Sequence, residues 1–128
     1  MFYKELYMEL GKLFYYISGA DGKVAPAEKE TLQKFIIEKW KPLESSEDRF
    51  GSDRAYLIDF AFEFEEEKSA SENYFGSFEI FYKQNKSNFT PEIKSNILLT
   101  TKAIAESYRG KNKKEEEVIK KLSHLFTE

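Results

Sequence analysis

The chain has no cysteine, one histidine and one tryptophan among its 128 residues. Without thiols it has no disulfide framework and no thiolate metal site. It has no excess of basic charge. The net charge is −3, so no broad phosphate-binding face is expected, and nucleic acid is not an expected partner. It has no long apolar run. No uncharged stretch approaches the roughly 18 residues needed to cross a bilayer. The N-terminal MFYKELYMELGK lacks the apolar block of a signal peptide. A soluble, cytoplasmic protein without membrane insertion is therefore expected. Catalytic signatures are missing as well: there is no phosphate-binding glycine loop, no nucleophile elbow and no His-Glu-x-x-His. His124 stands between the core-like Leu122 and Leu125, with no Ser, Cys or Asp motif around it. No residue is assigned a catalytic role, and a non-enzymatic protein is expected.

What the chain does have is apolar mass in helical spacing. Hydrophobic residues make up 41% and aromatics 16%, with twelve Phe and eight Tyr. That suffices for one core in a single domain spanning residues 1–128. Leu6, Tyr7, Leu10, Leu13, Phe14 and Ile17 form a wide stripe over residues 3–20. Leu32, Phe35, Ile36 and Trp40 continue on a second helix over 26–40, which Lys39, Lys41 and Pro42 end. Residues 41–53 read as a loop, with a short helical turn around 46–50. Residues 54–67, RAYLIDFAFEFEEE, carry two patterns. Phe60, Phe62 and Phe64 alternate as in a strand, while Leu57, Phe60, Ala61 and Phe64 form a helical stripe. Ala and Glu favour helix, so a helix is expected.

Tyr74, Phe75, Phe78, Phe81 and Tyr82 predict a fourth helix over 71–84 with Ser71 as its cap. Thr90-Pro91 opens a fifth in the preferred order, cap then proline. It carries Ile93, Ile97, Leu98, Thr101, Ile104, Ala105 and Tyr108 inward and ends at Gly110. Asn112 and Glu115 open the last helix, whose apolar face is Val118, Ile119, Leu122, Leu125 and Phe126. Leu10, Phe14, Ile17, Leu32, Phe35, Ile97, Ile104 and Leu122 are the expected shared core. The fold class is all-α, a compact bundle of six or seven helices.

The turn between the first two helices has its own chemistry. Gly22 stands where a left-handed residue ends a helix. Pro26 suits the first position of the next, which makes Ala25 the cap and Glu28 the third residue, able to reach back to the cap N–H. Asp21 faces the negative pole of the first helix, at a cost of about 0.3–1 kcal/mol. Three partners are open to it: the Lys23 N–H in an Asx-turn, the amides opening the second helix, or a cation. An EF-hand is excluded. Counted from Asp21, its third and fifth positions would be Lys23 and Ala25, and its sixth Pro26 rather than glycine.

Ala20-Asp21-Gly22-Lys23-Val24-Ala25-Pro26-Ala27-Glu28 resembles the Ala-Asp-Gly-x-Val/Ile-x-x-x-Glu signature of the TerB-like superfamily. That superfamily includes the tellurite-resistance TerB proteins and the N-terminal domain of a membrane-anchored DnaJ-type co-chaperone. The likeness covers roughly residues 10–36. It implies a helical TerB-like fold and a non-enzymatic, stress-associated role with a protein partner. It also implies a divalent cation, calcium or magnesium, with Asp21 and Glu28 as its ligands. The other readings are a pure protein–protein adaptor, in which Asp21 only shapes the turn, and a small metal-dependent hydrolase using paired carboxylates.

A shift of 87 positions lays Leu6 on Ile93, Leu10 on Ile97, Ile17 on Ile104, Glu28 on Glu115 and Leu32 on Ile119. Two pseudo-repeated helical hairpins would explain it. The second turn has Tyr108-Arg109-Gly110 in place of the aspartate, which leaves fewer ligands for a cation. Two charged stretches complete the picture. Asp59, Glu63, Glu65, Glu66 and Glu67 cluster in the third helix, where a metal or a nearby lysine would relieve their repulsion. Residues 109–114, RGKNKK, form a locally basic turn followed by Glu115 to Glu117.

Overall fold

A computed structural model describes residues 2–18, 24–44, 54–68, 73–107 and 113–127. Six α-helices and no strand occur among them: α1 Phe2–Ser18, α2 Pro26–Phe35, α3 Tyr56–Lys68, α4 Tyr74–Gln84, α5 Pro91–Glu106 and α6 Lys113–Leu125. The expected all-α bundle is what the chain forms. The turn expected around 46–50 lies outside the described residues, as do Asp21, Gly22, Asn112 and the stretch 108–110.

α1 is the centre. Its stripe of Leu6, Tyr7, Leu10, Leu13, Phe14 and Ile17 is fully buried. It lies along α3 for most of its length and also packs on α4 and α5. Gly11 sets the α1–α3 approach. A Cβ there would stand 2.5 Å from both the Ala61 Cβ and the Ile58 carbonyl oxygen, so only hydrogen fits.

That close approach explains how α3 departs from expectation. The helix forms, but its inward face is Ile58, Ala61, Phe62 and Glu65, not Leu57, Phe60, Ala61 and Phe64. Phe60 and Phe64 are 58% and 50% exposed. The smallest apolar side chain of α3 must meet Gly11, and this turns Phe60 and Phe64 outward.

α2 begins at Pro26 as expected. After Phe35 the backbone widens into a π-turn, Ile36–Trp40, where the Lys41 N–H reaches the Ile36 carbonyl. A 3-10 turn, Lys41–Glu44, follows. The extra residue moves the inward line to Leu32, Ile36 and Trp40, all fully buried. Phe35, expected in the core, is only half-buried. The widening is held by α5. The Trp40 indole donates to the Thr100 hydroxyl at 3.1 Å, and Asn96 donates to the Lys39 carbonyl at 3.2 Å. Thr100 in turn donates to the Asn96 carbonyl. A carbonyl within the π-turn thus has a partner on α5.

α4 starts two residues later than expected. Asn73, not Ser71, is its cap, accepting the Gly76 N–H at 3.0 Å. Thr90 caps α5 by accepting the Ile93 N–H at 3.2 Å, as its Thr-Pro start predicts. Phe2, Phe78, Phe81, Tyr82 and Phe126 gather around Phe89, mostly edge to face. They close the end of the bundle where α4, the following turn and the C-terminal end of α6 meet. The hairpin repeat is not confirmed. α1 packs chiefly on α3, whereas α5 divides its packing among α1, α2 and α6.

Candidate functional site

Of the two residues expected to hold a cation, Asp21 lies outside the described residues. Glu28 is buried at the start of α2, where Pro26 fixes the first turn. Its Oε1 accepts the Ala25 N–H at 2.8 Å. Ala25 has the extended backbone of a cap, with φ −80° and ψ 147°, but no side-chain acceptor of its own. Glu28 therefore does the work expected of a third-position carboxylate: it satisfies a helix-end donor. A cation at this turn would share that carboxylate with the Ala25 amide. Among the described residues no three His, Asp or Glu side chains stand together as a metal site.

The acidic cluster of α3 resolves into two parts. Glu65 faces inward, buried, and accepts from the Tyr74 hydroxyl of α4, with Lys68 at 3.4 Å. On the side facing α2, Lys29 reaches Glu63 at 2.5 Å and Glu66 at 3.9 Å. Partial burial works against the Lys29 ammonium, but the Glu63 bond and the fields of Glu63, Glu66 and Asp59 outweigh it. Its pKa is held above the usual lysine range. Asp59 is pushed the other way from most paired carboxylates. Burial, then the neighbouring Glu63, raises its pKa, and Lys29 and a Gln33 hydrogen bond offset this only in part. Its Oδ1 is buried with no hydrogen-bond partner. Lys29 relieves the repulsion on this side of the cluster.

Sequence reasoning did not single out the outer face of α3 as a site. At about 3.6 residues per turn, Tyr56, Phe60 and Phe64 fall on one line, with Glu63 and Glu67 beside it. Tyr56 is 43% exposed. The Phe60 and Phe64 rings stack, centroids 6.4 Å apart. Lys41 sits over the Tyr56 ring at 5.5 Å and Lys68 over the Phe64 ring at 5.0 Å, closing the stripe at both ends. Exposed Ile37, from the π-turn, extends the apolar area. Between it and α3 lies a pocket of about 180 Å³ lined by Gln33, Ile36, Ile37, Tyr56 and Asp59. The signal available in the sequence was the surplus of apolar residues around α3: more than one inward face can hold.

A second, larger concavity of about 530 Å³ lies between α4 and α6. His124 lies on its rim with Lys120, Lys121 and Glu79, over Phe75 and Leu125. Lys121 lies over the Phe75 ring and Lys83 pairs with Glu79. Its polar lining is Asn73, Glu79, Lys120, Lys121 and His124. No family model, curated protein or solved structure matches this chain. Among the described residues no helix is long and apolar enough to cross a membrane.

Proposed function

We propose that this chain is a non-enzymatic, cytoplasmic TerB-like interaction domain that docks a protein partner on the outer face of α3. One observation carries the reading: Tyr56, Phe60 and Phe64 stand in a line, each 43% to 58% exposed. A helix that already buries Ile58, Ala61 and Phe62 has no folding use for three more outward aromatics. Contiguous apolar area of this kind marks interaction surfaces, and aromatic residues supply most binding hot spots.

The TerB-like kinship is supported by the turn chemistry around Pro26 and Glu28 and by the all-helical architecture. A calcium or magnesium ion held by Asp21 and Glu28 is a separable second proposal, resting on the Asp21-to-Glu28 signature in the sequence. It has its own test below.

The docking reading is tested with a photo-crosslinking amino acid at position 60 or 64, in cells producing the whole chain. The same group at position 80 serves as control, because Ile80 is 61% exposed but lies on α4. Discrete adducts from 60 and 64 that are missing from 80 are expected. Equal, diffuse labelling at all three positions would contradict the proposal.

A further inference from the structure

The outer face of α3 is also marked by charge and by a cavity, and together these specify a partner. We propose that the α3 face receives a basic amphipathic helix, one of whose arginines enters the pocket between α2 and α3 and pairs with Asp59. This rests on the reading of α3 as a docking face and names the chemistry of what docks there.

The pocket is the first argument. At about 180 Å³ it is smaller than the roughly 300–1,000 Å³ of small-molecule sites, and it suits one long side chain. Its walls divide as an arginine would need. Ile36, Ile37 and Tyr56 face the methylene stem, and Gln33 and Asp59 lie beside the head group.

Asp59 is the second argument. One carboxylate oxygen is buried and unpartnered, while Gln33 serves the carboxylate from one side. A buried acceptor without a donor is unfavourable, and here the neighbouring lysine already belongs to Glu63. The terminal torsion of aspartate is soft, so rotation about it can present either oxygen to the pocket that Asp59 lines. A guanidinium, planar and with several donors, fills such a place better than an ammonium.

The third argument is the stripe itself. Glu63 and Glu67 lie beside Phe60 and Phe64, and both are exposed. Glu63 is already paired with Lys29, and Lys41 and Lys68 stand over the end rings. The open demand for positive charge along the stripe is therefore at Asp59 and Glu67, and its complement is apolar with a cation placed for them. From Tyr56 to Phe64 it runs roughly 12 Å, the length of two to three helical turns. A second copy of this chain fits poorly. A two-fold, antiparallel α3 pair would bring Lys68 of one copy toward Lys41 of the other, and acid toward acid.

The experiment uses the whole chain, labelled for amide NMR, and two probes: N-acetyl-arginine methylamide and its neutral citrulline analogue. The expected result is saturable shifts confined to residues 33–37 and 56–60 with the arginine probe. The citrulline probe should bind at least tenfold more weakly, and Asp59→Asn should abolish the difference. The fold of Asp59→Asn is checked by its own spectrum, and Glu79→Gln, in the α4–α6 groove, should leave the response intact. No localised shift, or equal shifts from both probes, overturns the proposal. So does concentration-dependent self-association that Phe60→Ser removes, because the face would then be a dimer contact. Crosslinking from position 60 separates the two readings. Adducts without an arginine response keep the docking face and reject the basic partner. An arginine response without adducts rejects the docking face, and with it the basic helix.

Discussion

Asp59 is held in a place that disfavours its charge, and this has a measurable sign. Burial and Glu63 make the folded chain hold the Asp59 proton more tightly than the unfolded chain does, against the weaker pull of Lys29 and Gln33. A raised carboxylate pKa contributes stability at low pH, and that contribution is lost as pH rises through the folded value. At about pH 7 the ionised group therefore weakens the fold. Asp59→Asn should raise the melting temperature there, and the gain should vanish as pH falls to about 3. A gain that persists or grows in acid would contradict this. A residue that weakens the fold beside an exposed aromatic stripe is the usual trade of stability for binding. Glu28 gives the second prediction at this scale. Glutamine keeps an acceptor for the Ala25 N–H but loses the charge at the helix start, about 0.3–1 kcal/mol. If Asp21 only shapes the turn, Asp21→Asn should be close to silent, because asparagine can accept the same Asx-turn hydrogen bond. If Asp21 and Glu28 hold a cation, millimolar calcium or magnesium raises the wild-type midpoint, and both variants lose that rise. Thermal unfolding with chelator and with cation measures it, and a wild type indifferent to both ends the cation proposal.

At the scale of elements, α1 against α3 is the joint on which the bundle depends. Gly11→Ala would push a methyl group to within 2.5 Å of the Ile58 carbonyl oxygen, a backbone atom that cannot swing aside. A loss of about 1–3 kcal/mol is expected. Phe14→Ala, from the fully buried stripe of α1, should lose about 3–5 kcal/mol. Denaturant unfolding checks both, and losses under about 1 kcal/mol would place the joint elsewhere. The same joint shows what the sequence could tell. α1 and α5 were legible because each has one apolar arc, and a single arc leaves no choice of face. The Thr90-Pro91 start was legible because the backbone chemistry of a helix start is local. α3 was legible as a helix but not as a face. Leu57, Ile58, Phe60, Ala61, Phe62 and Phe64 leave little polar contrast, and the choice falls to Gly11, distant in sequence. Phe35 was misplaced for a related reason. A regular period carries it inward, but the π-turn that begins beside it, held by Asn96 and Thr100 of α5, gives that place to Ile36 and Trp40.

For the whole molecule, one buried core serves two faces that differ in kind. The end around Phe89 closes on itself with stacked and edge-on rings, and Phe89 is 4% exposed. The outer face of α3 stays open, bounded by Lys41 and Lys68. The cation proposal, by contrast, belongs to a local signature, Asp21 to Glu28. The docking face has the opposite origin, since no local motif announces it and only the packing of α1 on α3 turns it outward. The most direct measurement is the affinity of the partner captured by crosslinking, purified, for wild type and for Phe60→Ser/Phe64→Ser. Aromatic hot spots contribute about 2 kcal/mol or more each, so the double substitution should weaken binding by roughly 100-fold or more. The melting temperature should stay level or rise, because both rings are at least half exposed. An unchanged dissociation constant in the double variant would contradict the account.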